Sequence, residues 1–121
     1  MKSPDSIAME WYPACQVNDV PRNGGVCVKL GEQQIALFHF TRNGEWYASQ
    51  NSCPHRNQMA LSRGMIGSLG EVPKVACPFH KKSFSLIDGR CLGSEQEYSI
   101  QTFPVKIENN TVFIGITKNQ N

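Results

Sequence analysis

The chain has 121 residues and a net charge of +2, and 40% of its residues are hydrophobic and 18% charged. That is enough chain for one ordinary core and too little for two. The small charge gives no footprint for nucleic acid, no apolar run reaches the length of a membrane span, and Pro4, Asp5 and Glu10 interrupt the region where a secretory signal would need its apolar stretch.

In chain order, the body reads as short strands separated by turns. Met1 to Ser6 is polar and expected to be loose, as is Lys118 to Asn121. "GVCVKL" (25–30) alternates, with Val26, Val28 and Leu30 on one face. "GEQ" (31–33) turns the chain into "QIALFHF" (34–40), which is apolar on both faces and predicts an inner strand. "TRNGE" (41–45) contains Asn-Gly, the strongest short hairpin signal. "WYASQ" (46–50) follows and runs into "CPHRNQM" (53–59). "RNQMALSRGMIG" holds at most one helical turn. "PKVAC" (73–77) is a short strand opening onto "CPFHKKSF" (77–84), and "KSFSLI" (82–87) leaves that loop for a turn at "DGR" (88–90). "YSIQTFPVKI" (98–107) and "TVFIGI" (111–116) flank "ENN" as a closing hairpin. Many short strands with regular turn signals predict an all-β antiparallel sandwich or open barrel.

Five cysteines without an export signal argue against a disulfide framework and point to a reducing, cytoplasmic setting, where paired Cys and His bind metal. Cys53 and His55 lie in one loop, and Cys77 and His80 in another. Thiolate and imidazole suit zinc or iron–sulfur chemistry and not calcium or magnesium. A two-iron cluster with both thiolates on one iron and both imidazoles on the other needs such a symmetrical pair of loops. A single tetrahedral zinc also accepts two Cys and two His, although one intervening residue between ligands is short for structural zinc. Cys is often simply buried and His occurs in loops for many reasons, but two matching Cys-Pro…His loops at strand ends argue against chance. The proline after each Cys restrains the bend and removes a backbone donor.

His39, alone within an apolar strand, reads as a core residue. Cys15, Cys27 and Cys91 lack a nearby His and read as small buried hydrophobes. Trp11, Trp46 and Tyr47 read as core or rim. Arg56, Arg63, Lys74, Lys81 and Lys82 flank the loops; such charges are commonly just solvated, but they would also steer an acidic partner. "RNGG" (22–25) and "RNGE" (42–45) are turns and lack the strand–glycines–helix context of a phosphate loop.

"CPH" followed by "CPFHKKSF" resembles the Rieske [2Fe–2S] motif. With "WYPACQVNDVPRNGGVCVKL", "EWYASQNSCPHRNQMALSRGMIG" and "DGRCL", nearly the whole chain is similar to the small-subunit family of assimilatory NAD(P)H-dependent nitrite reductases. The resemblance implies a single Rieske-like domain over 1–121, with a small cluster-binding subdomain at about 51–86. It makes Cys53 and Cys77 the ligands of one iron and His55 and His80 those of the other, with no catalytic residue of the chain's own. Gln58 and Phe79 occupy the positions where high-potential members carry a disulfide beside the cluster. Lys81 replaces the glycine usual after the second histidine, and "GMIGSLGEVPK" lengthens the gap between the loops; both fit the nitrite reductase small subunits. The resemblance further implies an oxidoreductase complex: a large flavin- and siroheme-bearing subunit takes nitrite to ammonia, and this chain passes single electrons or stabilises the assembly. Two other readings stay open, a free-standing Rieske ferredoxin serving an oxygenase and a cluster-free or zinc-bound interaction module.

Overall fold

A computed structural model describes residues 9–41, 44–53, 58–78, 83–92 and 99–117. Every strand pairing among them is antiparallel. β1 (Met9–Gln16), β12 (Val105–Glu108) and β13 (Thr111–Thr117) form one sheet with β13 in the middle. β2 (Gly24–Leu30), β3 (Gln33–Phe40), β4 (Glu45–Gln50) and β11 (Thr102–Phe103) form a second, in the order β11-β4-β3-β2. β5 (Ser52–Cys53) and β6 (Gln58–Met59) make a two-stranded ribbon. β7 (Met65–Leu69), β8 (Val72–Ala76), β9 (Ser83–Ser85) and β10 (Cys91–Leu92) make the last sheet, in the order β10-β9-β8-β7. The all-β antiparallel expectation is borne out.

β3 explains how the pieces are held together. Successive side chains of a strand point to opposite faces. Ile35 and Leu37 join Val20, Ala48, Phe103, Val112 and Ile114 in one core. Ala36 and Phe38, on the other face, join Leu61, Val75, Phe84, Leu86 and Ile100 in a second. All four β3 residues are fully buried, which is why "QIALFHF" has no polar face. One inner strand therefore serves both the base of the molecule and the sheet that carries the second Cys/His loop. The alternation in β2 is also as expected: Val26, Val28 and Leu30 lean on the first core, while Cys27 and Lys29 point outward.

Three local features depart from the sequence-based strands, the first being β7, which forms at Met65–Leu69 where no strand is expected. Residues 98–107 are not one strand. Pro104 cannot donate to a ladder, and the chain changes sheets there: Thr102 and Phe103 pair with β4, whereas Val105 to Glu108 pair with β13. The Pro104 carbonyl instead accepts the Gly115 N–H at 2.9 Å. β1 has no counterpart among the expected strands; it is an edge strand containing Pro13, with an irregular register between Pro13 and Cys15. The closing hairpin forms as read, with Asn109 and Asn110 at φ 50° and 67° between paired Glu108 and Thr111, the left-handed pair of a tight β-hairpin turn. "DGR" is also a turn. Gly89 has φ +84°, and a side chain there would collide with the Ile100 carbonyl, while the Ser85 hydroxyl accepts the N–H groups of Ile87 and Asp88 at 3.1 and 3.4 Å. The single helical turn allowed to "RNQMALSRGMIG" is a 3₁₀ turn at Leu61–Arg63. No helix among the described residues is long and apolar enough to cross a membrane.

Candidate iron–sulfur site

Both Cys/His loops are connections between antiparallel strands. In the first, Cys53 ends β5 and pairs with Gln58 of β6. In the second, β8 ends at Ala76, which pairs with Ser83 at the start of β9, and Cys77 is the first residue beyond the strand. His55 and His80 lie outside the described residues, as do Arg56, Lys81 and Lys82. Among the described residues no three His, Cys, Asp or Glu side chains gather as a metal site.

The structure brings the roots of the two loops together. β7 begins beside the end of β8, with Met65 opposite Ala76. Gly64 lies so close to Ala76 that a side chain there would meet the Ala76 carbonyl oxygen well inside contact distance, and the Val75 Cγ2 at 3.0 Å. Leu61, between the first loop and Gly64, is fully buried in the same core as Cys77, Val75 and Phe84. The segment leaving the first loop thus leans on the residue that precedes Cys77. Cys77 itself is fully buried, in the core that holds Val75 and Phe84. Two hairpins, each placing a cysteine at the start of its connection and held root to root, fit a group bridged between the loops. The donor chemistry agrees, since a soft thiolate in a desolvated setting suits iron–sulfur ligation.

Sequence reasoning missed Asn51, two residues before Cys53. It is buried and tied on every side. Its carbonyl accepts the N–H groups of Ala60 and Leu61, each at 3.0 Å, and its own N–H donates to the Gln34 carbonyl at 3.2 Å. Its side-chain Oδ1 accepts the Ser62 N–H at 2.8 Å, while Nδ2 donates to Gln34 Oε1 at 3.1 Å and approaches Cys27 Sγ at 3.5 Å. An asparagine at the end of a strand, where the residue is normally depleted, is the only signal the sequence carries for this role.

His39, read as a core residue, is only half-buried. Its ring stacks on Trp46 across the β3–β4 pair, centroids 4.0 Å apart and planes nearly parallel, and burial, then the nearby Arg22 charge, lower its pKa. Cys91 is buried as expected and Cys15 half-buried, but Cys27 is exposed. The valines at 26 and 28 face the first core, so Cys27 lies on the opposite face, and at this end of the sheet that face is left exposed. Trp11 lies on the rim beneath the Lys106 ammonium, 4.6 Å from the ring centroid. A cleft of about 630 Å³ opens between Phe40, Tyr47, Ile66, Pro73 and Ile87. Tyr47 there donates to Glu45, and burial with that bond pushes its pKa up to about 12, so it stays protonated at neutral pH.

Comparison with known proteins agrees with this arrangement. A family model described as a Rieske-like [2Fe–2S] domain matches residues 10–115. The nitrite reductase (NADH) small subunit of Escherichia coli K12 is 31% identical over 103 residues, which cover 85% of this chain and 94% of that protein. The nitrite reductase [NAD(P)H] large subunit of Klebsiella oxytoca is 40% identical over 106 residues, covering 87% of this chain but only 11% of that protein's length. The solution structure of a nitrite reductase [NAD(P)H] small subunit from Erwinia carotovora superposes with a TM-score of 0.74 at 32% identity, covering 91% of this chain and 84% of that one. Ferredoxin components of naphthalene dioxygenase systems are also similar. The paired hairpins, the buried Cys77 and the match across nearly the whole length lead to one conclusion: the chain belongs to the Rieske-like [2Fe–2S] domain family.

Proposed function

We propose that this chain is the small subunit of an NAD(P)H-dependent nitrite reductase and holds a Rieske-type [2Fe–2S] cluster, with Cys53 and Cys77 on one iron and His55 and His80 on the other. The carrying observation is the packing of the first loop's exit, Leu61 to Gly64, against the strand end that presents buried Cys77. When bound, such a cluster supplies one-electron transfer. Cys77 is fully buried, so on this reading the cysteine-held iron lies inward and the histidine end is the one offered to a partner. The loop-bearing subdomain, read at about 51–86, has its support in the ribbon at 52–59 and the sheet at 65–92.

The partner on this reading is a large flavin- and siroheme-bearing subunit that carries nitrite to ammonia in nitrate assimilation, in the cytoplasm. The Klebsiella large subunit contains a segment similar to this chain, which supports a module that works against the remainder of such a polypeptide. Anaerobic purification tests the cluster: two irons and two inorganic sulfides per chain with a red-brown visible spectrum are expected, and one stoichiometric zinc without colour would sink the assignment. Mixing the dithionite-reduced chain with a nitrite reductase large subunit, and separately with an aromatic-ring oxygenase, tests the partner. Preferential oxidation by the oxygenase would favour the ferredoxin reading instead.

A further inference from the structure

We infer that the side chain of Asn51 is a positioning residue for the first ligand loop, fixing how Cys53 and His55 are presented to the cluster; this rests on the ligand reading above. The loop stands on a ribbon of two two-residue strands, Ser52–Cys53 and Gln58–Met59. A hairpin that short is marginal by itself, so its placement has to come from outside. Asn51 supplies it from both directions. Below, its N–H and its Nδ2 reach the carbonyl and the side chain of Gln34 on β3, the strand shared by both cores. Above, its carbonyl and Oδ1 collect the N–H groups of Ala60, Leu61 and Ser62, the three residues that follow the ribbon. The two feet of the loop therefore meet on one residue.

The side chain has a job distinct from that of the backbone. The backbone bonds to Gln34, Ala60 and Leu61 are open to any residue but proline. The bonds to Ser62 and Gln34 need a group of this length that accepts on one side and donates on the other. A primary amide does both; a carboxylate or a methyl does not. Partners behind the ligands orient them, and their loss typically costs about 10–100-fold in metal affinity.

The test uses the full-length chain loaded with its cluster. Asn51→Leu keeps the branched shape and the backbone bonds but removes the side-chain bonds. Expected is release of iron to a chelator about tenfold faster than wild type, with a displaced paramagnetic resonance signal of the reduced protein. All rates are read well below each variant's thermal unfolding transition. Gln34→Leu, which removes the lower anchor alone, should shift both readouts in the same direction by less, and Gln34→Glu, which still accepts from Nδ2, should restore them. Cys53→Ser serves as the reference. If it bleaches while Asn51→Leu matches wild type in release rate and resonance signal, this inference is wrong and the ligand reading stands. Should Cys53→Ser keep full iron and colour, the ligand reading falls and takes this inference with it. Faster release that only tracks the fraction unfolded would likewise overturn the positioning role.

Discussion

Replacing Gly64 with alanine probes the junction between the two loops with a single added methyl. Gly64 has φ −75° and ψ 172°, extended values open to any residue, so alanine carries no backbone strain there and even reduces the freedom of the unfolded chain. The cost is purely steric. The new methyl would press on the Ala76 carbonyl oxygen, with the Ala76 carbonyl carbon at 3.1 Å and the Val75 Cγ2 at 3.0 Å. The side chain of Val75 could give by a few tenths of an ångström. The carbonyl cannot, because Ala76 is held between Met65 and Ser83 in a paired sheet.

Relief therefore requires the 61–64 segment to move away from the end of β8, the contact that brings the loops together. Overpacking of this kind costs about 1–3 kcal/mol, and against a backbone oxygen the upper end applies. For a domain of this size about 3 kcal/mol corresponds to a fall of roughly 10 °C in the unfolding midpoint. Gly67→Ala is the matched control: it lies in β7 three residues on, and its nearest neighbour is the Lys74 Cε at 4.0 Å, so it should be neutral or slightly stabilising. Differential scanning calorimetry of both variants, with iron content per chain, decides the matter. If Gly64→Ala unfolds within about 2 °C of Gly67→Ala and retains full iron, the idea that close backbone approach sets the spacing of the loops is refuted.

His80→Ala should bleach the visible spectrum while His39→Ala leaves it intact, because one histidine follows a ligand-spaced cysteine and the other stacks on Trp46; equal loss of colour in both would contradict the division. Since the folded-state pKa of His39 lies below its unfolded value, the unfolded chain takes up the proton first. Its contribution to stability is therefore complete above about pH 6.5 and is lost as pH falls below that value. Chemical denaturation at pH 7.5 and 5.5 should show wild type losing ground relative to His39→Phe on acidification, and a constant difference would refute the assignment. Reversing Lys81 and Lys82 to Glu should slow association with a nitrite reductase large subunit at low salt, with the defect shrinking as salt rises; association kinetics unchanged at low salt would mark these lysines as ordinary solvated surface.

Most strands were legible because their signals are local. Asn-Asn between alternating apolar runs announces the closing hairpin, and the all-apolar 34–40 run announces an inner strand. What was not legible depends on partners distant in sequence. Pro104 sits in the middle of a convincing β pattern, and only the competing claims of β4 and β13 make the chain change sheets there. β1 hides behind Pro13 because an edge strand tolerates a missing donor that an inner strand does not. Residue type alone places Cys27 inside, although the Val26 and Val28 beside it put residue 27 on the face opposite the first core. At the candidate site the four proposed ligands, Cys53, His55, Cys77 and His80, stand out by spacing alone. Asn51 and Gly64, which bind the first loop to β3 and to the end of β8, do not, since nothing local to either reveals the carbonyl or amide that it meets.

The two-faced burial of β3 gives this division a physical reason. Fully buried residues at 35 and 37 belong to the core of the base, and those at 36 and 38 to the core beneath the second loop. A shift of one residue in its register would exchange the two sets, so the strand cannot slide without unmaking both cores. Gln34 and Asn51 attach the first loop to this same strand, and Phe38 packs in the core that holds Cys77. Both loops are thus referred to one element that packing holds in place. An electron carrier gains from that arrangement, because a rigid ligand frame limits how much the protein must reorganise when the charge of its centre changes.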